Sequence, residues 1–65
     1  MSSVRKRLSG QLSQGARSLI LTTTDGEAWI VDADEIDPAL VGQLVKLEGL
    51  ATRQGGIHAD WIGAA

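Results

Sequence analysis

Residues 16–32, ARSLILTTTDGEAWIVD, decide the fold, because they predict two β-strands joined by a tight turn. Leu19 and Leu21 are two residues apart before the turn, and Trp29 and Val31 are two apart after it. This spacing is the period of a strand that buries one face. The Asp-Gly dipeptide between the two halves tolerates the positive φ of a hairpin turn. The segment therefore predicts a β-hairpin.

The same alternation recurs on both sides of the hairpin. It predicts five strands, over residues 4–12, 16–23, 27–32, 44–53 and 57–62. Residues 33–43 break the alternation, and within them Asp37-Pro38 combines a helix N-cap with a proline at the first helical position. We therefore expect one domain spanning residues 1–65, with a single short helical turn between the third and fourth strands.

Five short strands interrupted after the third are typical of the OB-fold, a small Greek-key barrel. A glycine inside a strand marks a sharp bend at a barrel corner, and Gly10 and Gly49 lie at inward-facing positions of their strands. An SH3-like barrel is the alternative, but the long insertion follows the third strand rather than the first. The predicted fold is thus an all-β, five-stranded, OB-like barrel.

The predicted core combines inward positions from several strands. We expect it to contain Leu21, Trp29, Val31, Leu47 and Ile57. Trp61 has the same parity as Ile57, so it is predicted to be a second core ring, with its indole N–H at the barrel rim. Residues 63–65 are predicted to fray.

Residues 40–49, LVGQLVKLEG, resemble the entry to the fourth strand in many bacterial OB-fold proteins, where a glycine precedes an alternating strand that ends in Glu-Gly. The turn at residues 25–26, the strand at 29–32 and the segment 61–63 add to this likeness. Over nearly its whole length the chain is similar to a group of short bacterial proteins with a domain of unknown function. The resemblance implies the fold and assigns no functional residue.

The composition excludes several kinds of site. The chain has no Cys and one His, so it forms no disulfide, zinc–thiolate site or multi-histidine metal site. The acidic run 32–37 lacks the glycine and the spacing of an EF-hand loop. His58 is predicted to face solvent beside Asp60, with no nucleophile poised against it. We expect no catalytic residue, no metal and no cofactor, and hence no enzyme.

The location follows from hydropathy. No stretch of 18 residues is apolar, so none predicts a membrane span. The basic N-terminus lacks the apolar segment that a signal peptide requires. The expected location is the cytoplasm.

Outward apolar residues predict a protein contact. Ile20, Ile30, Leu44 and Leu50 fall on positions that face away from the predicted core, and an exposed apolar patch marks an interaction site. A second interpretation is a bent barrel that buries both faces of its strands. The leading function is a non-catalytic binding module that self-associates or docks on a protein partner.

Single-strand nucleic-acid binding is the alternative function. The formal net charge is −2, yet the first 17 residues carry four cations and no acid. The candidate contacts are Arg5, Lys6, Arg7, Arg17 and Arg53. Such binding needs aromatic platforms beside the cations, and both tryptophans are predicted to lie in the core. A solvated basic edge strand explains the same cluster, so nucleic acid is not the favoured partner.

Overall fold

The computed structural model describes residues 4–52 and 54–65. It contains β1 (Val4–Gln14), β2 (Leu19–Thr23), β3 (Ala28–Asp32), β4 (Leu44–Ala51) and β5 (Gly56–Ala64). The strands close into a barrel in the order β1-β2-β3-β5-β4, and a 3₁₀ turn at Pro38–Leu40 lies between β3 and β4. The predicted all-β, five-stranded barrel with one short helical turn after the third strand is confirmed.

The first strand, β1, pairs with two neighbouring strands. Residues 4–11 of β1 pair with β4, whereas residues 10–14 pair with β2. Gly10 lies where the two ladders overlap, opposite Thr23 on one side and Val45 on the other. On the far side of the barrel, β5 lies between β3 and β4, and its pairing with β3 is parallel while the other ladders are antiparallel.

Two buried glycines permit the closest backbone approaches. A Cβ at Gly10 would overlap the carbonyl oxygen of Thr22, and a Cβ at Gly49 would overlap that of His58. The neighbouring strand therefore occupies the space that a side chain would need. Both positions are barrel corners, as the sequence predicts.

The barrel interior is entirely apolar among the described residues. Its buried members are Leu12, Leu21, Val31, Val45, Leu47, Ile57 and Ala59. The predicted burial of Leu21, Val31, Leu47 and Ile57 is thus confirmed. Trp29 is half-buried against this cluster, and its indole Nε1 is buried without a hydrogen-bond acceptor.

A β-bulge reverses the alternation near the end of β5. Ala59 lies opposite Gly49 and Trp61 lies opposite Glu48, which leaves Asp60 without a partner on β4. An extra residue shifts every later side chain to the other face. Trp61 consequently points outward and is 55% exposed, so its predicted place in the core is wrong. The predicted fraying is also wrong, because β5 continues to Ala64.

The 3₁₀ turn closes one end of the barrel. The backbone N–H of Ala39 donates to Asp37 Oδ1 at 3.0 Å, the N-cap that the sequence predicts. Leu40 and Val41 pack against the core. The following segment is tied to β1, since the N–H of Gly42 donates to the carbonyl of Leu12 at 2.7 Å. In the described ranges, no helix combines the length and apolar character needed to cross a membrane.

Gly10→Ala is expected to lower the free energy of unfolding by about 2 kcal/mol, because the added methyl overlaps backbone rather than a movable side chain. Urea denaturation followed by tryptophan fluorescence measures this. Ser9→Ala is the matched control, since Ser9 is the exposed neighbour on the same strand. Equal midpoints for the two variants would contradict the close approach at Gly10.

Candidate interaction surface

Large apolar side chains are exposed on the outside of the barrel. Leu44 is 63% exposed, Ile30 49% and Leu50 39%. Ile20 is half-buried. Their outward direction agrees with the strand alternation in the sequence, so the question is which of them share one surface.

Three of the four predicted interface residues lie on one outer face of the barrel. Ile20 and Ile30 are directly opposed on β2 and β3, where Cβ atoms are about 5 Å apart. Ile30 is opposite Gly56 on β5, and Leu50 is opposite His58 two residues further along the same strand. A Cβ at Gly56 would lie 3.1 Å from the Thr52 hydroxyl, and His58 is the direct neighbour of Leu50, so Thr52 and His58 lie between Ile30 and Leu50. We refer to Ile20, Ile30 and Leu50 as the apolar patch.

The fourth residue lies elsewhere. Leu44 and Leu50 stand at opposite ends of the outward face of β4, roughly 20 Å apart at the rise of a strand. Leu44 is opposite Gln11 of β1. Leu44 is therefore exposed but does not belong to the apolar patch.

An ion pair borders the apolar patch. His58 Nδ1 lies 3.0 Å from Asp32 Oδ2, because the parallel ladder sets His58 opposite Asp32. The predicted partner, Asp60, instead binds the Arg5 guanidinium at 2.6 Å. The hydrogen bond to Asp32 is the main cause that raises the pKa of His58, and partial burial opposes it. A depression of about 170 Å³ lies between this pair and Ile30.

The four predicted basic residues that the structure describes do not form one surface. Arg5 contacts both Asp60 and Glu48, and Arg7 Nε lies 2.9 Å from Glu48 Oε2. The hydrogen bond from Arg7 is the main cause that lowers the pKa of Glu48. Arg17 lies in the exposed bend after β1, apart from these ion pairs.

Lys6 and Arg53 are the other two predicted cations. Lys6 is exposed on β1, at a position between the two outward arginines of that strand. Arg53 lies outside the described residues. Of the predicted cations that the structure describes, Arg5 and Arg7 are thus held in ion pairs with acids.

A groove beside Trp61 is the feature that the sequence analysis missed. It has a volume of about 380 Å³ and runs over the outer face of β1, β4 and β5. Its lining consists of Arg7, Leu8, Ser9, Lys46, Leu47, Glu48 and Trp61. The signal was the glycine at position 49, since a glycine within a strand also marks a bulge, and the bulge turns Trp61 outward.

Metal binding finds no support in the described part of the chain. No group of three or more His, Cys, Asp or Glu residues comes together there in a way that could hold an ion. The pair of His58 and Asp32 is open to solvent, with side chains 43% and 79% exposed.

The family model for DUF5818, a protein of unknown function, matches residues 9–65. The chain belongs to this family. The match begins within β1 and runs through β5, so it covers the apolar patch and all of the groove lining except Arg7 and Leu8. No curated protein and no solved structure matches the chain significantly. The expected likeness to a domain of unknown function is confirmed at the level of the family.

Asp32→Asn is expected to lower the pKa of His58 toward its ordinary value of 6.5, because the variant removes the charged hydrogen-bond partner. Titration of the His58 ring protons by NMR measures the shift. Asp60→Asn is the control: Asp60 is the smallest of the causes acting on His58, so the expected change is slight. A larger effect from Asp60→Asn would contradict the pairing.

The stability of the folded chain depends on the same protonation of His58. Since the pKa of His58 is higher in the folded chain than its ordinary 6.5, protonated His58 stabilises the fold. That contribution is fully present below pH 6.5 and is lost as the pH rises through the folded pKa. Thermal melts between pH 5 and pH 8 are therefore expected to show this loss in the parent chain and not in Asp32→Asn.

Proposed function

We propose that the chain is a non-catalytic binding module that docks on a protein surface through the apolar patch. The surface belongs to a second copy of the chain or to another protein. The observation that carries the proposal is that Ile20, Ile30 and Leu50 lie on one outer face, with Ile20 and Ile30 directly opposed. Exposed apolar side chains grouped on one face mark an interaction site more than scattered single residues do.

The core leaves these side chains without a structural role inside the barrel. The buried cluster is filled from the inward positions, and the segment after β3 packs Ile36, Leu40 and Val41 against the end of that cluster. Nothing in the described chain covers Ile30, which is 49% exposed. Burying it against a partner is favourable at about 25 cal/mol per Å² of apolar area.

The barrel also restricts how a partner can dock. Residues 4–9 of β1 have no partner on β2, and residues 59–64 of β5 have none on β3. Ile20, Ile30 and Leu50 instead lie on strand segments that are paired on both sides, so a peptide cannot add as a strand there and docking on the patch relies on side chains. His58 and Asp32 lie on the same face, so a partner meets apolar and polar side chains together.

The non-catalytic part of the proposal rests on exposure. Acid–base catalysis requires groups whose surroundings drive their pKa values apart in a site that excludes water. The one histidine and its partner carboxylate are both open to solvent. This supports a surface role for the pair rather than a catalytic one.

We include in the same proposal an OB-like fold class, a bacterial source and a cytoplasmic location. The closed strand order, with the helical turn between β3 and β4, supports the OB-like class. The likeness of residues 40–49 to bacterial proteins supports a bacterial source. The absence of Cys agrees with a cytoplasmic location, where disulfides are rare.

Weak single-strand nucleic-acid binding is the second candidate. One observation favours it: Arg7 is 85% exposed even though it bonds to Glu48. The proposed contacts along the basic edge remain Arg5, Lys6, Arg7, Arg17 and Arg53. Acidic partners offset the charge of Arg5 and Arg7. The basic edge is therefore a weaker candidate binding site than the apolar patch.

Ile30→Lys and Leu50→Lys are each expected to weaken self-association at least tenfold, because a charge replaces an apolar centre. Light scattering after size exclusion, over a range up to high micromolar concentration, measures this. Leu44→Lys is the matched control, since Leu44 is exposed and outside the apolar patch. A chain that stays monomeric throughout, with solubility unchanged by Ile30→Lys, would count against the proposal.

A further inference from the structure

The groove beside Trp61 contains an exposed aromatic ring that is held against the sheet. A Cβ built on Gly63 would lie 2.7 Å from Trp61 Cζ2 and 2.9 Å from Cη2, so the ring lies against the space that Gly63 leaves open. Its side remote from the sheet is accessible, since the residue is 55% exposed. A ring fixed in this way is a platform on which a flat group can stack.

Two cations flank this platform. Lys46 is opposite Gly63, the residue beneath the ring, and is exposed. Arg7 lines the same groove. Lys46 forms no ion pair within the described residues. Arg7 uses only Nε toward Glu48, so its terminal nitrogens have no partner among these residues.

The acid in the groove is already engaged. Glu48 accepts hydrogen bonds from Arg7 and Arg5, and the low pKa of its carboxyl reflects this pairing. The charge left over in the groove is therefore positive. An anionic ligand is favoured there, and a carboxylate or phosphate can bind the free donors of Arg7.

The lining argues against a peptide as that ligand. Trp61 is its one outward apolar side chain, because Leu8 and Leu47 belong to the inward-facing set of β1 and β4. No second outward apolar side chain lines the groove to hold an apolar residue of a peptide. An aromatic platform between cations instead matches the needs of an unpaired nucleotide.

We propose that the groove between β1, β4 and β5 binds single-stranded nucleic acid, with one base stacked on Trp61 and the adjoining phosphates on Lys46 and Arg7. The two cations lie on a cross-strand diagonal, since Lys46 is opposite Ser9 and Arg7 is opposite Glu48. Their Cα atoms are therefore roughly 7–8 Å apart.

The proposal rests on the second candidate function, weak single-strand nucleic-acid binding, and gives that function a site. It is independent of the apolar patch.

The groove offers cations and an aromatic ring, and neither discriminates strongly between bases. Binding is expected to be tolerant of sequence and to prefer single strands over duplex, because a paired base cannot stack on the indole. Contact with two phosphates gives a slope of about −1.4 for log affinity against log salt concentration.

The test is fluorescence anisotropy of the full chain with a labelled oligothymidylate and with a duplex of the same length, at low salt and over a salt series. Trp61→Leu is expected to weaken single-strand binding about tenfold or more, through loss of base stacking. Trp61→Phe is expected to retain most of the affinity. Lys46→Ala is expected to weaken binding and to reduce the salt slope by about 0.7.

Arg17→Ala separates binding by the groove from diffuse binding by the basic edge, because it removes the same charge from an exposed bend outside the groove. An equal loss of affinity in Arg17→Ala and Lys46→Ala, with Trp61→Leu unchanged, would overturn the groove and leave diffuse binding by the basic edge. Absence of single-strand binding at low salt would overturn both. Binding of a polyglutamate peptide that depends on Trp61 would assign the groove to acidic proteins and overturn the inference.

Discussion

The backbone contact at Gly10 is the constraint on which the barrel depends. There β1 leaves its ladder with β4 and joins β2, so one residue belongs to both halves of the sheet. A side chain at this position would occupy the place of the Thr22 carbonyl. Without the contact, β1 would serve one neighbour and the sheet would stay open. Closure in turn pairs both sides of the strand segments that carry Ile20, Ile30 and Leu50, which leaves side chains as the means of recognition there.

Local sequence determined much of the architecture. Alternation within each strand and the Asp37-Pro38 pair depend on neighbours in the chain, and the five strands and the short turn were predictable from them. The bulge at Asp60 was not, because Gly49 is compatible with either a corner or a bulge, and the register of β5 against β4 decides between them. That register leaves no mark in the parity of either strand. For that reason the orientation of Ile57 was correct and that of Trp61 was wrong.

The candidate sites likewise contain some contacts that local sequence predicts and others that only the topology creates. Ile20 and Ile30 were expected to be neighbours because one hairpin sets their register. Parity also gave the correct face for Leu44, although it does not say which end of the barrel a residue occupies. His58 meets Asp32 through a parallel ladder between strands 26 residues apart in sequence. Such a contact requires the topology, whereas the choice of Asp60 used sequence proximity alone.

The position of β5 between β3 and β4 also has a consequence for a chain as it is synthesised. Until residues 56–64 have left the ribosome, β1 can join the hairpin to β4, but nothing lies between β3 and β4 on the other side. The ladders that close the barrel join segments far apart in sequence, which slows folding. The barrel must therefore complete itself after these residues emerge. In that interval the unpaired edges of β3 and β4 are open to the strands of other chains.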